Sequence, residues 1–231
     1  MALLASSIFD SCQYELNDPG YVRWPVVELC AYLTEAVAAL AVARPTLFYS
    51  FVPVGLAPGA VQSVPAQYAE LVDIIYNLSP DGTPGGRIVK GSFSAARALG
   101  RFSCASSSSY VVNSFTMHPE NDTLFFVDPP VPAHPAGYSV QAVVQLAPSV
   151  ITAATDAVVM ANTTPELYVN ALKDWTLYRA FAKDLESQSS FERSQAHFKA
   201  FTTFAGSPPR TKTAVPLASI REKTSGAGTS Q

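Results

Sequence analysis

The pattern of apolar and polar positions changes character twice along the chain. Residues 4–16 carry a helical spacing that ends before Asn17-Asp18-Pro19-Gly20, a run that favours a turn. A second helix is predicted from Pro25, because proline suits a first helical position where its missing N–H costs nothing. Val26, Leu29, Leu33, Val37 and Leu40 repeat at helical spacing behind it. Arg44-Pro45 stops the helix, since the residue before proline disfavours the α region. From 47 to 148 the pattern shortens. Residues 47–54, 61–64, 71–78, 87–90, 110–117, 123–127 and 138–147 read as strands, with Gly, Pro, Asn and Asp between them. The last alternates well, with Tyr138, Val140, Ala142, Val144 and Leu146 on one face and Ser139, Gln141 and Gln145 on the other. Ser92 to Leu99 reads as a short helix stopped by Gly100, and Ser106 to Ser109 as a polar loop.

Helical spacing then returns. Thr164-Pro165 is an N-cap followed by proline. Leu167, Ala171, Tyr178, Phe181 and Leu185 form one stripe, and Tyr168, Leu172, Trp175 and Ala182 a second beside it. So wide an apolar surface predicts packing on more than one side. Ser189-Ser190-Phe191-Glu192 fits a capping box for a last helix carrying Phe191, Phe198, Phe201 and Ala205. The expected class is α+β: a helical bundle made by the N- and C-terminal helices, an inserted antiparallel β-sandwich or barrel-like domain, and an extended tail. The boundaries predicted are 1–46, 47–148, 149–205 and 206–231, with Leu29, Leu33, Trp175, Tyr178, Phe181, Phe198 and Phe201 in the bundle core.

Composition sharpens this. Of 231 residues, 48% are hydrophobic and only 14% charged, against about 25% charged in soluble domains. That balance fits a surface partly covered by neighbours. The net charge of −3 excludes a basic nucleic-acid binder. Past Gly206, Arg210, Lys212, Arg221 and Lys223 face one acid, Glu222; removing that +3 leaves −6 for the body. Cys12, Cys30 and Cys104 are scattered, which predicts reduced thiols, with Cys12 and Cys30 as small core residues. No basic residue precedes Arg23, so no signal peptide is expected. Ala36 to Ala43, between Glu35 and Arg44, is too short to span a bilayer, and no membrane partner is expected.

Chemistry-bearing patterns are sparse. His118, His134 and His197 stand apart, with no HExxH-type spacing. No nucleophile elbow or phosphate loop occurs; Gly82-Thr83-Pro84-Gly85-Gly86 reads as a hairpin tip, because no helix follows it. Asp174 is the one acid inside an apolar stripe. It is either a buried site or, as favoured here, a carboxylate paired with an arginine such as Arg23, Arg44 or Arg179. Neither catalysis nor a cofactor or metal is expected.

Three segments carry a resemblance. Leu16-Asn17-Asp18 with Val22-Arg23-Trp24-Pro25 and Glu28-Leu29 is one, Phe125-Phe126-Val127-Asp128-Pro129-Pro130-Val131-Pro132 another, and Tyr168 to Asp184 the third. Together they resemble the head-to-tail adaptors of short-tailed bacteriophages. The chain departs from that pattern at Leu33-Thr34-Glu35-Ala36, where Asn-Asp-Gly or Asn-Asp-Ala is expected. The resemblance implies a virion protein assembled in the host cytoplasm. Twelve copies would form a ring beneath the portal, passing DNA without binding it specifically. The ring would carry the tail nozzle and fibres. It implies portal contact through the basic tail residues and docking of tail proteins on the turns holding Asp81, Thr83, Pro129, Pro130, Pro132 and His134. A receptor- or carbohydrate-binding β-module on a helical stalk is the alternative.

Overall fold

The computed structural model describes residues 3–92, 111–133, 137–183 and 188–206. Among the described residues four helices, α1 (Ala5–Leu16), α2 (Val26–Ala43), α3 (Val169–Ala182) and α4 (Gln188–Gly206), flank an inserted β-region. The short helix expected from Ser92 to Leu99 lies outside the described residues from 93 on, as do Gly100, the loop at 106–109 and Cys104.

Helix α1 ends where the sequence turns. Asn17 takes the left-handed conformation at φ 51°, its N–H donates to the oxygen of Tyr14, and the next N–H, of Asp18, donates to Gln13. Asn tolerates that conformation better than most residues. Pro25 caps α2 with extended backbone rather than opening it. At the third helix, Pro165–Tyr168 form a separate 3-10 turn before α3, so proline starts a helix there but not the α-helix itself. The capping-box pattern places Ser189 at an N-cap. It lies inside the first turn of α4, which is already under way at Gln188.

Helix α3 is the centre of the bundle, contacting α1, α2 and α4. Leu29, Leu33, Val37 and Leu40 of α2 bury with Ile8, Phe9 and Cys12 of α1 and Leu172, Leu177 and Phe181 of α3. By length and composition alone α2 could cross a membrane, with a mean hydropathy of 1.8 over 18 residues. One face of it is buried in this core, however, and its two acids are ion-paired, Glu35 to Arg179 of α3 and Glu28 to Lys183 directly after it. Residues 149–160 wrap the outside of the bundle: Ala5 N–H donates to Asp156, Ser6 N–H to Ala154, and Val158 N–H to Leu3.

The β-region is an insertion on a two-stranded stem. β1 (Tyr49–Gly55) leaves the bundle and β8 (Ser139–Leu146) returns to it, paired antiparallel from Tyr49 opposite Gln145 to Gly55 opposite Ser139. With β3 (Tyr68–Leu78) and β4 (Pro84–Arg87) they form a sheet of order β1-β8-β3-β4. The second sheet, β2-β7-β6-β5, holds β2 (Gly59–Ser63), β5 (Val89–Lys90), β6 (Ser114–Met117) and β7 (Leu124–Val131). All pairs are antiparallel except β5 with β6. The sheets share one apolar cluster, with Val54, Leu71, Ile74, Val140, Ala142 and Val144 from one and Phe115, Phe125 and Val127 from the other. It is a sandwich, not a closed barrel, and its core is separate from that of the bundle.

Candidate assembly interface

The joint between the first and third of the resembling segments is built on Asp18. Its carboxylate, itself buried, accepts the backbone N–H of Val22 through Oδ1 and of Arg23 and Trp24 through Oδ2, each at 3.0 Å. The Trp24 N–H first, with those of Val22 and Arg23, holds that carboxyl below the usual carboxylate range. The grip also fixes Tyr21 at φ 57°, a conformation costly for a bulky residue, while its hydroxyl donates to Asp10 Oδ1 at 3.1 Å. Trp24 is thereby aimed at α3, where its Nε1–H donates to the oxygen of Ala180 at 3.1 Å.

Two ion pairs extend the seam. Lys183 Nζ lies 2.6 Å from Glu28 Oε2, and Arg179 Nε 2.8 Å from Glu35 Oε2. Glu28 also accepts from the hydroxyl of Tyr32, and the Arg179 guanidinium lies over the Tyr32 ring. Burial and the Glu28 carboxylate push that phenol above its ordinary value.

Asp174 pairs with none of the three arginines expected for it. Its Oδ1 lies 2.9 Å from Nδ1 of His197 on α4, whose Nε2 is 3.5 Å from Glu15 Oε2 of α1. The imidazole stacks on Phe181 at 5.8 Å. The arginines have other work: Arg179 holds Glu35, and Arg44 donates to the oxygens of Ala205 and Phe204 at the end of α4. Periodicity placed Asp174 on the α3 stripe, but α4, not α2, packs over that position.

The expected bundle-core residues divide. Leu29, Leu33, Phe181 and Phe201 are buried, and Trp175 and Tyr178 half-buried. Phe198 is 37% exposed and sits at the rim. It closes an aromatic cluster against Tyr178 at 5.0 Å, while Trp175 meets Phe201 edge-on at 4.8 Å. Among the described residues no further layer covers Phe198 on this outermost helix. Sequence reasoning missed Thr34, whose hydroxyl accepts the N–H of Ile151 at 3.0 Å and straps the returning chain to α2. The pairing could not be seen in the string itself, because its partner is 117 residues away.

On the β-domain, Asp81 and Thr83 form an exposed turn: the N–H and hydroxyl of Thr83 donate to Asp81 Oδ1 at 3.1 and 2.7 Å, and Gly82 sits at φ 81°. Pro129 and Pro130 are not in a loop as expected. They lie within β7, after a cis peptide between Asp128 and Pro129. They fit because the register to β2 shifts between Gly59 and Val61 and β6 begins opposite Asp128, so no ladder N–H is required of them. Pro132 follows the strand, and His134 lies outside the described residues, as do Arg210, Lys212, Arg221 and Lys223.

Among the described residues no group of three or more His, Cys, Asp or Glu is placed to hold a metal ion. What the surface offers is apolar area: Val27 is 79% exposed and Val42 85%, with Val22, Phe51, Leu167 and Phe191 also open. Such surface suits docking to other chains. No curated protein matches the chain. The model of the SU10 adaptor protein family matches residues 4–220, spanning the bundle, the sandwich and the joint between them. The chain belongs to that family of phage head-to-tail adaptors.

Proposed function

We propose that this protein forms a ring, of twelve copies, beneath the portal, extends the DNA channel, and carries the tail nozzle and fibres. As a head-to-tail adaptor it is a structural component of the virion neck, acting by oligomerising and by joining portal and tail components. The observation that carries the finer reading is the two-core build. The bundle and the sandwich each bury their own apolar cluster and are linked through the β1–β8 stem. One module can then hold the capsid side while the other meets the tail. In this reading the bundle faces the portal and the tail cations Arg210, Lys212, Arg221 and Lys223 meet an acidic groove on it. The Asp81–Thr83 turn and Pro132 with His134 face nozzle or fibre subunits. Assembly takes place in the host cytoplasm.

The lumen is lined by neutral and acidic side chains, because phosphate contacts would hold DNA that has to move. The body's charge of −6, once the tail is set aside, supports this. Light scattering tests the assembly route. Free protein is expected to be small and to enter a large ring on addition of the portal, with weaker binding in high salt or after deletion of 207–231. A stable trimer with and without portal would contradict the reading and favour a receptor-binding tail component.

A further inference from the structure

Past Gly206 the sequence holds one uncharged, mostly apolar run, Ala214-Val215-Pro216-Leu217-Ala218-Ser219-Ile220. Pro, Ser, Thr, Gly and charged residues surround it. The family match ends at its last residue and leaves Arg221 to Gln231 outside. The run therefore belongs to the part of the chain that fits the family pattern, although it is too short to form a core alone.

Helix α4 offers it a seat. Opposite the stripe of Ser190, Ser194, Phe201 and Ala205 that it buries, α4 carries an open groove of about 600 Å³ lined by Ala196, Lys199, Ala200, Thr203 and Phe204. Ala196 and Ala200 are one turn apart and leave room above the backbone. Phe204, two residues from the end of the helix, adds an exposed aromatic edge.

We infer that residues 214–220 of the chain's own tail pack into this groove, with Val215, Leu217 and Ile220 against Ala196, Ala200 and Phe204. Geometry permits it. Residues 207–213 join Gly206 to the run and reach roughly 23 Å when extended at ~3.3 Å each. The groove from Ala196 to Phe204 is about 12 Å long at ~1.5 Å of rise per residue, within the span of the run. Pro208-Pro209 stands where the chain has to reverse. A short tether also holds the run at an effective concentration on the order of millimolar. At micromolar protein another copy's tail competes poorly. Arg210 and Lys212 precede the run and Arg221 and Lys223 follow it, so docking leaves all four cations at the surface. The docking does not rest on the ring or portal reading, and its test needs no portal.

The test uses the full chain carrying Cys104→Ser, with Cys12 and Cys30 buried and out of reach. One version adds Ala200→Cys with Leu217→Cys, the other Ala200→Cys with Ser230→Cys. A disulfide requires Cα atoms within about 7 Å. Loop length alone would favour the first pair by about twofold. Under mild oxidation at micromolar protein, the 200–217 disulfide is expected to form within one chain at least tenfold faster than 200–230. Adding Val215→Asp and Ile220→Asp is expected to erase that advantage. Rates within threefold of each other, insensitivity to the aspartates, or cross-links only between chains would overturn the inference.

Discussion

The indole of Trp24 donates its N–H to the backbone oxygen of Ala180 across 3.1 Å. Ala180 lies in the last turn of α3, where helix carbonyls have no partner within the helix. The bond therefore caps α3 from the segment that opens α2. It joins two strings that stand at opposite ends of the sequence.

The two tryptophans are expected to differ when shortened. Trp24→Phe leaves the Ala180 oxygen without its donor, a loss of about 1–3 kcal/mol. That corresponds to about 2–4 °C in Tm for each kcal/mol in a chain of this size. Trp175 Nε1 has no acceptor among the described residues, so Trp175→Phe removes no hydrogen bond and should lower Tm less. Thermal melts of the two variants decide it; an equal or larger drop for Trp175→Phe would contradict the capping role.

Asp18 should give the joint an acid-sensitive component. Its folded carboxyl titrates below the unfolded one, held there by the N–H groups of Trp24, Val22 and Arg23. The stability it adds is present above the unfolded value of about 3.9 and is lost as pH falls through the lower folded value. Asp18→Asn should therefore melt below the parent at pH 7, with the gap closing below about pH 4. A gap that stays constant from pH 7 to 3 would show that charge at Asp18 plays no part.

Thr34→Val tests the strap. The substitution keeps the shape but removes the acceptor of the Ile151 N–H, and Ile151 itself is buried. The expected loss is about 1–3 kcal/mol, with faster hydrogen exchange over 149–158. Thr34→Ser keeps the acceptor and should lose less. Unchanged exchange in the valine variant would mean the strap is held elsewhere.

Much of the architecture was legible because its signals are local. Asn17-Asp18-Pro19-Gly20, Arg44-Pro45 and the alternation of 138–146 announce a helix end, a stop and a strand within a few residues. What was illegible depends on neighbours. Pro129 and Pro130 read as a break, and only the shifted register of β2 and the start of β6 opposite Asp128 make room for them in a strand. Asp174 read as a carboxylate seeking an arginine. Helical spacing gives the face it occupies but not the helix that covers it, and His197 is the residue that α4 delivers. The Leu16 to Leu29 string is legible as a pattern. Its cause, one carboxylate gathering three N–H groups, is a three-dimensional fact.

The buried thiols should be inert. Burial pushes the Cys12 thiol up to about 12 and raises that of Cys30. At pH 8 neither should be alkylated in the native protein, and both should react once it is unfolded. The raised folded value also fixes the sign at high pH. The contribution of the neutral thiol is complete below the unfolded value of about 8.5 and is lost progressively as pH rises towards the folded one. Mass spectrometry of labelled peptides checks the first point, and rapid native labelling of Cys12 would contradict its place in the core.

The most direct measurement is a set of two-dimensional class averages of the full chain mixed with the portal of the same virion. The predicted result is a twelve-fold ring stacked on the portal, with the helical bundles at the shared face and the sandwiches pointing away. A ring docked through its sandwiches would reverse the proposed polarity. Portal particles left bare, beside free adaptor at concentrations well above micromolar, would contradict the adaptor mechanism itself.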